Sequence, residues 1–251
     1  MNWKFALGNV FRLIVRLIAA LVIQHLLRVT AFYAWMARDS AGLNTMIGPV
    51  GEVYAVLLAF TIFVIWGQFT EVENLVIRES NSLDDLLRFS AYLDADTNAA
   101  LRRAIAAYAQ RVLKHEWPAL GEGRADKQSS ELFVAILDSV AEAKAATETQ
   151  KLIHARLIEM AQQTAACRNE RVSKSMTRMP PTLSGLVRSV SAVLLLLIFV
   201  YPFESEAIGA ACFVLASVVV FLANFVMLDT DNPIRGVWNV SPKPFAALAS
   251  R

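Results

Sequence analysis

Residues 45–69 read TMIGPVGEVYAVLLAFTIFVIWGQF and carry a single charge, the acid Glu52. A helix rises 1.5 Å per residue, so about 20 mainly apolar residues cross a hydrocarbon layer of about 30 Å. This run is long enough to do so. It continues, with no breaker at the junction, into TEVENLVIRESNSLDDLL. The expectation is one rigid rod that leaves a membrane and enters a water-exposed domain. Few soluble folds need such an element.

Composition agrees with a membrane protein. The 251 residues are 56% hydrophobic and 18% charged, where a soluble domain has about 45–50% and about 25%. The formal charge of +2 excludes the strong basic excess of a nucleic-acid binder. Two cysteines, Cys167 and Cys212, make no disulfide framework, and Cys167 reads as a reduced cytoplasmic thiol. No small-residue cleavage site follows a clean apolar core near the start, so no removable signal peptide is expected.

Before the central run, residues 17–36 are apolar but interrupted by Gln24, His25 and Arg28. An arginine at a helix centre costs about 2.5–3.5 kcal/mol on insertion scales, which the surrounding Leu, Ile and Val offset. A first span is expected there, with an interfacial amphipathic helix as the alternative. Residues 38–44 form a short polar linker, giving an antiparallel hairpin. Beyond the second span, Val72, Leu75, Val76, Leu83, Leu86 and Leu87 repeat with helical spacing. A further helix is expected over 98–117, opening after Asp96 and Thr97 and stopping at Trp117-Pro118, with Leu101, Ile105, Tyr108, Val112 and Leu113 on its apolar side. Residues 130–179 contain neither Gly nor Pro, so one or two long helices fill them, with a break near 145–149. Met179-Pro180-Pro181 marks a return to the membrane. Spans three and four are expected over 186–203 and 207–228, followed by a polar, Pro-rich tail.

Basic residues near the spans set orientation. Lys4, Arg12 and Arg16 lie near the start, Arg78 and Arg178 in the middle, and Arg235, Lys243 and Arg251 in the tail. The two short loops offer Arg38 beside Asp39, Glu204 and Glu206. The expected fold is therefore all-α, with four transmembrane helices and a helical cytoplasmic domain inserted between the second and third. Its parts are an N-terminal hairpin (1–69), the domain (70–180), a C-terminal hairpin (181–228) and a tail (229–251), with both termini cytoplasmic.

The words VYAVLLAFTIFVIWGQF, ENLVIRESNSLDDLLRF, LRRAIAAYAQRVLKHEWPALGEG and LDTDNPIRGVWNVSP stand in order from Glu52 to Pro242. In these words the chain resembles a bacterial family of bestrophin-like membrane proteins, remote kin of the bestrophin channels. The EWP after a helix and the LD-x-x-x-P-x-x-G after the last span are the most specific pieces. The resemblance implies a homo-oligomeric, anion-conducting channel in the bacterial inner membrane. It also implies five subunits around a pore lined by the second span.

Placed at 100° per residue, Leu57, Thr61, Val64, Gln68, Glu71 and Leu75 fall within about 40° of one line. Thr61, Gln68 and Glu71 put polar groups on that seam, which reads either as pore lining or as helix–helix packing. Gly51, Ala55 and Ala59, roughly opposite, read as a close helix contact. Arg28 and Glu52 fall at similar depth on adjacent antiparallel spans and are expected to form an intramembrane ion pair. Asp229, Asp231 and Asn232 cluster after the last span, where bestrophins place part of a calcium site. Three ligands are too few for calcium, which takes six to eight oxygens, and DNP is a good turn. His115, Glu116 and His154 lack metal-site spacing. No nucleophile elbow, P-loop or dinucleotide fingerprint occurs, so neither enzyme activity nor a cofactor is expected. The expected partners are further copies of the chain, the lipid bilayer and small ions, with a non-conducting scaffold that binds a partner protein as the alternative.

Overall fold

The computed structural model describes residues 3–250, with side chains from residue 11 onward, so Lys4 and Arg251 lie outside the described side chains. The described chain is all-helical, with no strand. In order it forms α1 (Trp3–Arg28), α2 (Ala31–Ala37), α3 (Ser40–Ser90), α4 (Ala95–Arg111), a π-helical turn (Val112–Glu116), α5 (Trp117–Gly121), α6 (Lys127–Ala141), α7 (Glu148–Met176), α8 (Pro181–Val200), α9 (Glu206–Thr230) and α10 (Lys243–Ala249). Three stretches are long and apolar enough to cross a membrane: α3, the α7–α8 run Glu148–Val200, and α9. A fourth forms only if α1 and α2 count as one span, and these are bent by 82°.

That bend divides the first span expected over 17–36 between two helices. The Thr30 hydroxyl donates to the Leu27 carbonyl at 2.5 Å and accepts from the Tyr33 N–H at 3.3 Å. It thus ends one helix and caps the next. The linker before the second span is also shorter than expected, because α3 starts at Ser40 and runs 51 residues through Pro49. At 1.5 Å per residue it is roughly 77 Å long.

The chain divides into two compact units, Met1–Trp66 with Met179–Asp231, and Gly67–Arg178 with Asn232–Arg251. In the first unit Tyr54 and Ile65 of α3 form a core with Met179, Val187 of α8, and Val220 and Met227 of α9. Leu58, Leu183, Val190, Leu194 and Leu195 pack against it. Gln24 donates to the Phe199 carbonyl at 3.0 Å, the Asn224 amide donates to Ser191 at 3.2 Å, and the Phe199 and Phe213 rings meet edge-on at 5.3 Å.

The second unit packs α4, α6, α7 and α10 around the C-terminal part of α3. All six apolar residues expected on one face of that part, from Val72 to Leu87, are buried. Leu101, Ile105, Tyr108 and Val112 face them, with Phe133, Ile136, Val140, Leu157, Phe245 and Leu248 completing the core. Caps fix the boundaries. Asp94, not Asp96 or Thr97, opens α4 by accepting from the Thr97 N–H at 2.8 Å. Thr147 and Gln150 form a reciprocal capping box, so the expected break falls just ahead of α7. Trp117-Pro118 does not end the helix. The Trp117 N–H reaches back five residues to the Val112 carbonyl, and Pro118, which has no N–H to satisfy, sits in the first turn of α5.

Candidate functional site

The membrane part of α3 has two dissimilar faces. Tyr54, Leu58, Thr61 and Ile65 follow the i, i+4, i+7, i+11 spacing of one helical face and turn into the first unit's core. On the other side Val53, Val56, Phe60 and Phe63 stand in a stripe exposed to 53–77%. A helix at the centre of a finished core would be covered all round. This one presents a row of large apolar side chains with no cover from its own chain.

Against this frame the expected seam divides. Thr61 is wholly buried and its hydroxyl donates to the Leu57 carbonyl at 2.7 Å, so its polar group is satisfied within α3. Leu57, Val64 and Gln68 are half-buried and flank the exposed stripe. Glu71, also half-buried, is paired with Lys174 at 3.1 Å. On the opposite side Gly51 packs toward Leu194, its missing Cβ position 3.9 Å from that side chain, whereas Ala55 and Ala59 are exposed.

Arg28 and Glu52 are not brought together within the chain. The Arg28 guanidinium lies over the Tyr33 ring, 5.4 Å from its centroid, with Nη2 packed 2.9 Å from where a Cβ on Gly209 would stand. Its Nε and Nη2 are buried without a hydrogen-bond partner. Glu52 is exposed. His25 instead pairs with Glu206 at 2.6 Å.

The oxygen-rich cluster after the last span is engaged with backbone. Asp231 accepts from the Met179 N–H at 2.7 Å. Asn232 donates to the Gly121 carbonyl at 2.9 Å, and its oxygen accepts from Ile234 and Arg235 at 3.2 and 3.1 Å. Among the described residues no three His, Cys, Asp or Glu side chains converge on a metal-sized site. His154 contacts the Val140 carbonyl at 2.8 Å, and Glu116 belongs elsewhere.

Glu116 is part of a buried charge network in the second unit that sequence reasoning missed. Arg171, wholly buried, takes Glu79 through Nε at 2.6 Å and Glu116 through Nη2 at 2.6 Å. Arg168 reaches Glu116 and the Ser130 hydroxyl, each at 3.1 Å. The Tyr108 hydroxyl donates to Glu79 at 2.5 Å and accepts from Arg168 and Arg171 at 3.1 and 3.2 Å. Phe245 of α10 covers the Arg171 guanidinium at 5.3 Å. Burial first, and then the Glu79 charge, push the Tyr108 phenol well above its ordinary value, so it stays a neutral donor. Two cations balance two anions, as a dry interior requires. The π-helical turn places Glu116 here by shifting the register of everything after Arg111.

The signal was present in the sequence. Glu79 stands on the same helical face as Val72, Val76, Leu83 and Leu86, and Arg168, Arg171 and Ser175 continue the face of Leu157, Ala161 and Thr164. Charges on an apolar stripe, on two helices at once, ask for each other.

The family profile described as Bestrophin-like domain matches residues 14–245. A crystal structure of a membrane protein is similar at a TM-score of 0.71 and 10% identity, covering 95% of this chain and 99% of that one. A point variant of a bacterial bestrophin homologue from Klebsiella pneumoniae is similar at a TM-score of 0.68 and 12% identity, covering 95% and 97%. A further structure of the Klebsiella pneumoniae homologue gives 0.65 and 15%, covering 94% of both chains. At these identities the likeness is one of fold. No curated protein matches the sequence.

Proposed function

Because the chain belongs to the bestrophin-like family, we propose that several copies assemble in a bacterial inner membrane into an ion channel whose pathway is lined by α3. One observation carries this reading. The stripe Val53, Val56, Phe60 and Phe63 is large, apolar and uncovered, and it lies on the helix that also threads the second unit's core. A closed ring of copies would bring such stripes together as an apolar constriction, the kind that gates by excluding water. Leu57, Val64 and Gln68 flank the lining. Thr61 and Glu71 do not contribute, since one is buried and the other is paired. Five copies is the number the resemblance implies.

The second unit is read as the cytoplasmic domain. Arg12, Arg16, Arg78, Arg178, Arg235 and Lys243 then fall on the cytoplasmic side, and the acid-rich short loops on the other. The second reading, a non-conducting scaffold, draws support from the burial of Thr61, which removes a polar group from the expected seam. The chain's chemistry lies in packing and charge placement, so no catalytic role is proposed.

The test is ion flux into liposomes carrying purified protein. Phe63→Ala should raise flux severalfold by widening the constriction, and Gln68→Trp should lower it, with the oligomer intact on a sizing column. Absence of flux from the wild type under any gradient would overturn the channel and leave the scaffold.

A further inference from the structure

Glu52 is the only charged residue among 45–69, and it stands on the exposed side of α3 one turn ahead of Val56 and two ahead of Phe60. It continues the line of the apolar stripe. Its carboxylate makes no hydrogen bond or ion pair with another side chain among the described residues. The nearest base C-terminal to it along the helix is Arg78, 26 residues and about 39 Å further on. Arg28, the natural partner by depth, is turned onto Tyr33 and Gly209.

An acid facing hydrocarbon at membrane depth is costly, and such groups turn to water, to a partner or to a pathway. The residues expected at the same end of the first unit add to the imbalance. Asp39, Glu52, Glu204 and Glu206 face only Arg28 and Arg38, leaving His25 aside.

We infer that Glu52 faces the water of the ion pathway, as a ring of carboxylates at its mouth, one from each copy, and that this ring favours small cations over anions. The inference rests on the reading that α3 lines the pathway, and it departs from the anion conduction that the resemblance implies. Rings of acidic side chains select cations because the summed negative potential raises the local cation concentration and repels anions. No Lys or Arg lies among residues 45–69 to reverse the sign.

The experiment is the reversal potential in a planar bilayer under a tenfold potassium chloride gradient, for wild type, Glu52→Gln and Glu52→Lys. Assembly of each is checked on a sizing column. The wild type should prefer potassium. Glu52→Gln should lower the potassium-to-chloride permeability ratio by roughly threefold or more, and Glu52→Lys should invert it. A wild type that prefers chloride overturns the inference, as does a ratio unchanged in both variants that still conduct. Variants that come apart on the column assign Glu52 to subunit contact and overturn it too. Absence of current from the intact wild type defeats the channel reading itself, a result separate from any of these.

Discussion

The two units finish their interiors in different ways. In the second, apolar faces from α3, α4, α6, α7 and α10 close over one core, and two arginines and two glutamates inside it pair with each other, with the buried Arg171 Nη1 left without a partner. In the first, only 17–22% of the most apolar stretch in each of α3, the α7–α8 run and α9 is buried by the chain itself. Large side chains such as Phe11, Ile18, Val56, Phe63 and Leu215 stand open. Among the described residues, buried polar atoms on Arg28, Tyr54, Ser217 and Asn224 lack partners there, against Arg171 Nη1 and Ser175 Oγ in the second unit. The lesson concerns where each unit ends. One chain covers most of the second unit's core, while the first leaves its apolar faces to lipid and, on the proposed reading, to further copies.

The sharpest way to break this comparison is to spoil the completed interior. Arg171→Met leaves Glu79 and Glu116 buried with too little positive charge around them. Removing one partner of a buried pair costs about 3–5 kcal/mol, a large share of a domain's stability. Urea unfolding of the detergent-solubilised protein, followed by circular dichroism, should lose the second unit's transition or shift it by that amount. A change under about 1 kcal/mol would mean that water reaches the network, and the contrast between the units would lapse. Adding Glu79→Gln to Arg171→Met should recover part of the loss, because one orphaned charge is then removed.

A slightly smaller effect is expected at the tail. Phe245 is wholly buried, lies over Arg171 and meets the Tyr108 ring edge-on at 6.4 Å. Phe245→Ala should cost about 3 kcal/mol in the same unfolding measurement, through lost burial and a cavity beside the network. If the loss is negligible, the tail is an appendage and the unit is complete without it.

Next comes Asp126, which closes α6 onto α4. It takes Arg111 through Nε at 2.6 Å and Nη2 at 2.8 Å, and accepts from the Ser129 N–H at 3.3 Å. The Arg111 guanidinium, ahead of the Ser129 contacts, holds this carboxyl well below the ordinary value, against a burial that works the other way. A depressed carboxyl stabilises the fold fully above its unfolded value, near pH 4, and that contribution fades as pH falls toward the folded one. Asp126→Asn should therefore cost about 1–2 kcal/mol at neutral pH and flatten the stability loss below about pH 4. Equal acid sensitivity in variant and wild type would place that loss in other carboxylates.

How much of this was legible beforehand depends on whether a residue's neighbours lie in its own sequence or across the fold. The long rod of α3, its apolar face from Val72 to Leu87, and the break ahead of α7 are local patterns of period and punctuation. Each stands in the structure. The bend at Thr30 escaped because a single capping hydroxyl decides it inside an otherwise continuous apolar run. The register shift at the π-helical turn escaped because nothing in VLKHE distinguishes it from an ordinary helical turn. The expected seam through Thr61 and the exposed stripe lie on the same helix, their centres some 60–80° apart. Periodicity gives spacing along a helix; which face meets a neighbour is settled by α8 and α9, far along the chain.

The smallest expected effect sharpens the comparison most. Phe63 is 77% exposed, whereas Ile65, two residues on, is 2% exposed. Truncating Ile65 belongs with the core losses, about 2–5 kcal/mol. Phe63→Ala removes more carbon, yet it should change the chain's own unfolding by no more than about 0.5 kcal/mol, as for a surface site. Its consequences belong to the surroundings, in flux and in the oligomer's persistence on dilution in detergent. Unchanged unfolding with altered flux puts the stripe on the pathway. Unchanged unfolding with an oligomer that dissociates puts it between copies. A loss of 2 kcal/mol or more from the single chain would show that the face is already covered, and that the first unit is as self-sufficient as the second.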